Sequence, residues 1–358
     1  MPTDAEPLVG RSRTELEALL AACGQPRYRG GQVADWLYRH GAHDCAAMTS
    51  LPAEVRATLA AEYGVGRSEL VASRRARDGT TKLLLALADG ARIETVALPS
   101  PDRLSVCVST QTGCAVGCTF CATGALGAGR NLTVGELTDQ VLTAGEQLGR
   151  RVSHAVFMGM GEPLLNLDAV LAAIRLWRDE LDISPRRVTV STVGIVPRIA
   201  DLGMADLPVT LAVSLHAADD ALRARLIPSV ARRWSVSELF GASRHYAHET
   251  GRRVTYEVVL LAGVNDRAED AVQLARWVMP GEHVNLIPYN PTGAGPFQRP
   301  GREAVTAFRR TLEAVGAAVT QRRTRGAEIA GACGQLRADA EVDRRAASPR
   351  RRRQSTSQ

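Results

Sequence analysis

Cys114-Ala115-Val116-Gly117-Cys118-Thr119-Phe120-Cys121 is the stretch on which the reading of this chain turns. It holds three cysteines in a C-x3-C-x2-C loop, just after an apolar run, Leu104–Ser109, that reads as a β-strand. Isolated cysteines are usually small buried hydrophobes, but three rarely gather in one glycine-bearing loop. Structural zinc takes four ligands, commonly from two C-x2-C-like pairs, and no second pair follows. Three thiolates can instead hold three irons of a cubane 4Fe–4S cluster and leave the fourth open to a chelating substrate. Gly113 and Gly117 let such a loop wrap closely, and Phe120 offers an apolar cover. The chain has seven cysteines, an odd number, and no export signal is read at its acidic start, so a disulfide framework is not expected.

Outward from the loop, short apolar strands alternate with amphipathic helices. Strands are expected at Leu104–Ser109, Ala155–Met158, Val188–Ser191, Val209–Leu215, Val254–Leu260 and Val284–Pro288, with Ala317–Gln321 as a closing one. Helices are expected over 134–148, 166–178, 235–249, 267–278 and 302–315, the first opened by a Thr133/Glu136 capping box and the second by Asn166 as N-cap. Strand–helix alternation means parallel pairing. About six strands without a Gly-rich dinucleotide fingerprint favour an α/β fold built as a partial (β/α)6-type barrel. Before it, Ser12 and Glu15 box the first of three short helices, and a hairpin, Lys82–Leu87 and Arg92–Leu98, turns at Asp89-Gly90. The expected organisation is a small, mostly helical accessory domain over 1–98, a barrel over 99–338 and a basic, disordered tail over 339–358.

Of 358 residues, 45% are hydrophobic and 23% charged, and the net charge is +6. No run approaches the roughly 20 apolar residues of a membrane span, so a cytoplasmic protein without membrane contact is expected. The six arginines of Arg344–Gln358 account for the whole excess: without them 38 basic residues balance 38 acidic ones. Lys82 is the only lysine among 44 basic residues, a bias typical of GC-rich coding. A high pI alone therefore does not identify a nucleic-acid partner.

In a parallel barrel the strand ends carry the chemistry. Gly159-Met160-Gly161-Glu162-Pro163, Ser191-Thr192, Ser214-Leu215-His216 and Asn290 all fall at such ends. Glycines admit a ligand close to the backbone, and Glu162 can accept hydrogen bonds from an ammonium. The cysteine spacing, with an aromatic residue before the last cysteine, resembles that of radical S-adenosylmethionine (SAM) enzymes. The resemblance narrows with Cys107-Val108-Ser109-Thr110-Gln111-Thr112-Gly113-Cys114, Arg130-Asn131-Leu132-Thr133, the Gly-Met-Gly-Glu-Pro-Leu run, Ser-Leu-His, Asn285-Leu286-Ile287-Pro288-Tyr289-Asn290-Pro291, and Thr324-Arg325-Gly326 through Cys333-Gly334-Gln335-Leu336. Together these resemble the RlmN/Cfr family of radical SAM adenosine methyltransferases over residues 10–337.

That resemblance implies a 4Fe–4S cluster on Cys114, Cys118 and Cys121. It implies SAM held by Gly161, Glu162, Ser191, Ser214, Leu215, His216 and Asn290. It also implies catalysis by Cys333 as a methyl carrier, Cys107 as the thiol that later releases the product by forming a disulfide with it, and Glu94 as proton acceptor. The implied substrates are 23S rRNA and tRNA, methylated at adenine carbon 2, with a reducing partner such as flavodoxin or ferredoxin. Carbon 2 is electron-poor, so ordinary methyl transfer does not reach it. The alternatives are methylation at carbon 8, a radical SAM enzyme on another substrate, and a non-catalytic iron–sulfur or zinc RNA-binding protein. Two runs depart from the family pattern: Pro228-Ser229-Val230-Ala231-Arg232-Arg233, which lacks the usual asparagine near the expected substrate side, and Glu328 in place of Asp. Arg74-Arg75-Ala76-Arg77 is read either as an RNA contact or as a solvated basic turn.

Overall fold

The computed structural model describes residues 7–293 and 295–336. The expected tail 339–358 lies outside the described residues. Three helices come first: α1 (Arg13–Ala22), α2 (Tyr28–Tyr38) and α3 (Ala53–Glu62). The Ser12/Glu15 capping box starts α1 as expected, with the Ser12 N–H donating to the Glu15 carboxylate at 2.7 Å. These helices share their own core, from Leu8 and Val9 through Leu16, Leu37 and Met48 to Val65. Leu142 and Leu176 from the barrel helices join it.

Next come β1 (Glu69–Arg75), β2 (Thr81–Ala86), β3 (Arg92–Pro99) and β4 (Leu104–Cys107). After the cysteine loop the chain runs α4 (Ala122–Ala125), α5 (Val134–Leu148), β5 (His154–Phe157), α6 (Leu167–Glu180), β6 (Val188–Thr192), α7 (Val196–Gly203) and β7 (Thr210–Ser214). It continues with α8 (Asp220–Leu226), α9 (Pro228–Ala231), α10 (Val236–Thr250), β8 (Val254–Leu260), α11 (Ala268–Ala275), β9 (His283–Pro288), α12 (Arg302–Ala314) and β10 (Ala318–Gln321).

All ten strands form one sheet in sequence order. β1 to β4 pair antiparallel and β4 to β10 parallel. Among the described residues β10 pairs only with β9, so the final strand extends the sheet without closing it. The hairpin assigned to the accessory domain is thus hydrogen-bonded into the barrel sheet: Val96 on β3 faces Cys107 on β4. β1 was not expected; it takes up the Arg74-Arg75 run as strand rather than turn, and the Arg77 N–H donates to the Glu328 carboxylate at 2.6 Å.

Helices cover the parallel part, which is why β8 is buried at every position. Trp177 on α6 stacks on Phe157 of β5 with ring centroids 5.3 Å apart, and its Nε1–H donates to Thr138 Oγ1 on α5 at 3.1 Å. Each such fully buried aromatic contributes about 2–3 kcal/mol. Thr133 and Glu136 cap α5 reciprocally, and Gly149 ends it in the left-handed region. Asn166 does not cap α6 through its side chain; its Nδ2 donates to the carbonyls of Thr110 and Leu132, tying the helix start to the rim of β4. The helical unit is fastened to the barrel through Arg67, which is buried against Asp139 and pairs with Glu146 at 2.8 Å.

Candidate functional site

The ends of the parallel strands open on a cavity of about 210 Å³. Five cysteines line it: Cys107 at the end of β4, Cys114, Cys118 and Cys121 from the following loop, and Cys333 from the far end of the described chain. The loop is held on three sides. Gly127 O accepts from the Cys114 N–H at 2.7 Å, Leu226 O from the Thr119 N–H at 3.0 Å, and Val116 O from Ser229 Oγ at 2.7 Å. Gly117 turns it with φ +66, a conformation costly for other residues. The Cys333 segment is pinned on top: the Ala122 N–H donates to Gly334 O at 2.8 Å and Thr123 Oγ1 to Leu336 O at 2.8 Å.

The Pro228–Arg233 run opens with α9 and meets the cysteine loop through Ser229; none of its residues lines the cavity.

Burial pushes all three loop thiols up, Cys114 to about 11. A bound metal reverses this, because the ligand is the thiolate and binding releases the proton. A countercharge stands behind them. Arg223 is fully buried, donates through Nε to Leu215 O at 3.2 Å and through Nη2 to Val193 O, and lies within electrostatic reach of Cys118. Its Nη1 has no hydrogen-bond partner among the described residues. A buried guanidinium with an unmet donor near the middle thiol of the loop suits an anionic group such as a thiolate-bound cluster. No three His, Cys, Asp or Glu side chains among the described residues are gathered to hold a single metal ion. A cubane does not call for that, since each thiolate takes a different iron.

Of the residues expected to hold SAM, Gly161, Glu162, Ser191, Ser214, His216 and Asn290 line the cavity. Gly161 has φ +97, and a Cβ there would fall 2.7 Å from the Gln111 side chain. Burial raises the Glu162 carboxyl to about 7, opposed by N–H donation from Val193 at 2.9 Å and Leu164 at 3.0 Å. Ser191 and Ser214 face each other at 3.4 Å. Asn290 Oδ1 accepts from Arg299 at 3.0 Å and from Thr324 at 3.1 Å.

Two expected residues stand elsewhere. Leu215 is fully buried and does not line this cavity; its N–H is taken by Glu257 O and its carbonyl by Arg223. Glu94 is buried on β3, with Oε1 2.7 Å from Lys82 Nζ, and it is absent from the cavity wall to which Val96 and Leu98 of the same strand contribute. The only lysine of the chain thus meets this carboxylate.

His216 adopts φ +60, packs edge-on to Phe120 with centroids 4.9 Å apart, and accepts the Val259 N–H on Nδ1 at 3.1 Å. Burial, then the charge of Arg223, lowers it from 6.5 to about 3. A lowered value means that the neutral ring's stabilisation is complete above the unfolded value and is lost as pH falls from 6.5 toward 3. Between about pH 7 and about pH 5, the protein is expected to lose about 2 kcal/mol that His216→Gln does not lose. Paired urea titrations at the two pH values read that difference.

Sequence reasoning missed Glu257 and Arg322, which also line the cavity. An acid inside the otherwise apolar β8 was the available signal for Glu257. Arg322 directly follows the last strand, at the same rim position as the other strand-end residues.

A parallel barrel with a cysteine loop at the end of its first parallel strand, beside glycine-bearing strand ends, defines a radical SAM enzyme. The Radical SAM superfamily model matches residues 108–275, and the model for the ribosomal RNA large subunit methyltransferase N-terminal domain matches 7–65. A "Probable dual-specificity RNA methyltransferase RlmN" from Thermosynechococcus vestitus is 52% identical over 92% of this chain and 98% of its own length. Another, from Gloeobacter violaceus, is 49% identical over 92% and 95%. The crystal structure of a radical SAM methyltransferase from Sphaerobacter thermophilus superposes with a TM-score of 0.90 at 47% identity, covering 93% of this chain and all of that one. The chain belongs to the RlmN family of radical SAM RNA methyltransferases, which use a 4Fe–4S cluster and SAM. Among the described residues no helix is long and apolar enough to cross a membrane.

Proposed function

We propose that this chain methylates carbon 2 of an adenosine in 23S rRNA, and also in tRNA, by way of a methyl group carried on Cys333. The observation that carries the reading is the meeting of Cys107 and Cys333. They are separated by most of the chain, yet they line one cavity with the three loop cysteines and feel each other's charge. A simple methyl donor–acceptor site needs neither thiol.

In this reading Cys114, Cys118 and Cys121 hold the cluster as thiolates, with Arg223 compensating the charge behind them. Gly161, Glu162, Ser191, Ser214, His216 and Asn290 hold SAM. The bound cluster and SAM supply one-electron chemistry able to remove a hydrogen atom from an unactivated methyl group. Cys333 first loses its proton and takes the methyl group of one SAM: the S–C bond to Cys333 forms, the methyl–sulfonium bond breaks, and S-adenosylhomocysteine leaves with the electron pair. After losing one hydrogen, that methyl carbon bonds to carbon 2 of an adenine turned out of its stack. Glu94 takes the ring proton, which requires its carboxylate to leave Lys82 or share it, and the unpaired electron left on the adduct would pass to the one-electron acceptor that the bound cluster supplies. Cys107 then attacks the Cys333 sulfur: the S–S bond forms, the S–C bond breaks, and its electron pair stays with the carbon, which takes up a proton from water. The disulfide is reduced before the next turnover. Flavodoxin or ferredoxin is the proposed electron donor, and the helical unit is the proposed RNA-docking surface.

Nucleoside mass spectrometry of 23S rRNA and tRNA from a strain lacking the gene, with and without complementation, tests the assignment. Loss and return of 2-methyladenosine is the expected result. Loss of 8-methyladenosine instead would move the chemistry to carbon 8. No change in either nucleoside would contradict RNA methylation.

A further inference from the structure

Asn290 stands just beyond β9, buried in the cavity wall. An amide has a donor at one end and an acceptor of nearly the same shape at the other, so its neighbours decide which end faces a ligand. Asn290 Oδ1 accepts from Arg299 Nη1 at 3.0 Å and from Thr324 Oγ1 at 3.1 Å. Arg299 Nη1 also donates to the Tyr289 carbonyl at 3.3 Å, and its Nη2 donates to Thr324 Oγ1 at 3.2 Å. The backbone ahead of Arg299 is tied to the end of β8, where the Ala262 N–H donates to Gln298 O at 3.0 Å. Arg299, Thr324 and Asn290 thus close a triangle of hydrogen bonds. A guanidinium only donates, whereas a threonine hydroxyl donates or accepts as its partners require. Arg299 therefore draws Oδ1 toward itself, and the Thr324 hydroxyl, facing that same oxygen, has to donate. Among the described residues no acceptor takes the Asn290 Nδ2 hydrogens. Thr324 and Asn290 line the cavity, but Arg299 does not.

We propose that Arg299 is a positioning residue for SAM binding: it locks the Asn290 amide with Nδ2 toward the cavity, to donate to a hydrogen-bond acceptor of SAM. This rests on the reading above in which Asn290 holds SAM. Arg299 is the one member of the triangle that cannot reverse its role. Without it, the Thr324 hydroxyl accepts from Nδ2 as readily as it donates to Oδ1, and the amide is free to turn over. In the turned molecules Oδ1 would face the acceptor on SAM, and two oxygens or an oxygen and a ring nitrogen would meet without a hydrogen between them.

The test is the SAM affinity of the reconstituted, unreduced holoenzyme, measured anaerobically by equilibrium dialysis, with iron content and thermal unfolding midpoint alongside. Arg299→Gln is expected to weaken SAM binding about fivefold, the scale of one hydrogen bond, at unchanged iron content and midpoint. Glutamine donates or accepts, so it fills the space without setting the direction. Arg299→Lys keeps a head that only donates and is expected to recover most of the affinity. Asn290→Ala is expected to weaken binding at least as much, and adding Arg299→Gln to it should cost nothing further, because the arginine acts through the amide. Wild-type affinity in Arg299→Gln, an equal loss in Arg299→Lys, a second full loss in the double variant, or a loss that runs with iron content or midpoint would overturn the proposal. Wild-type affinity in Asn290→Ala is a different failure: it would remove Asn290 from the SAM site, and the proposal with it.

Discussion

Cys333→Ala is expected to make no methylated RNA, a loss of at least about three orders of magnitude, the scale on which removal of a covalent nucleophile acts. The same protein is expected to keep its iron and its cluster absorption, because Cys333 belongs to a separate segment laid over the cluster loop by the Gly334 and Leu336 carbonyls. The split between retained cluster and lost methylation makes the result informative. Liquid-chromatography mass spectrometry of the RNA, with iron quantified in parallel, checks both halves. Cys107→Ala is expected to differ in kind: Cys333 still takes up a methyl group, but the product is not released, so protein–RNA adduct accumulates.

Cys118→Ala is expected to lose everything at once. Cys118 is the middle cysteine of the loop and the one within reach of Arg223. Without it, two thiolates remain for a group that needs three. Anaerobic reconstitution should leave the protein without the visible absorption of an iron–sulfur cluster, and both SAM cleavage and RNA methylation should fall below detection. Arg223 would then face an empty space with an unmatched charge. A full cluster spectrum in Cys118→Ala would remove that residue from the ligand set.

Much of this was legible in the sequence, because the decisive groups are local. The C-x3-C-x2-C loop, the Thr133/Glu136 box and the β8 run Val254–Leu260 each carry their signal within a few residues, and the structure keeps all three. What was not legible depends on pairing across the chain. β1 is half-exposed along its length, so no apolar alternation marked it as a strand. Leu215 sits in a rim motif, but both of its backbone groups are consumed by Glu257 and Arg223, partners brought in by folding. Lys82 looked like the residue of a coding bias; only the sheet brings its ammonium to Glu94. Arg322 lacked a motif, and only folding brings it to the cavity wall and to Met158.

The measurement that bears most directly on the central claim follows the methyl hydrogens. Reduced, reconstituted protein is given SAM carrying three deuterons on its methyl group, together with an unmethylated 23S rRNA fragment, and the methylated adenosine is weighed. If the carbon passes through Cys333 and loses one hydrogen there before bonding to the ring, the product methyl must carry two deuterons and one proton from solvent. A product methyl with all three deuterons would mean direct transfer, and would contradict the account.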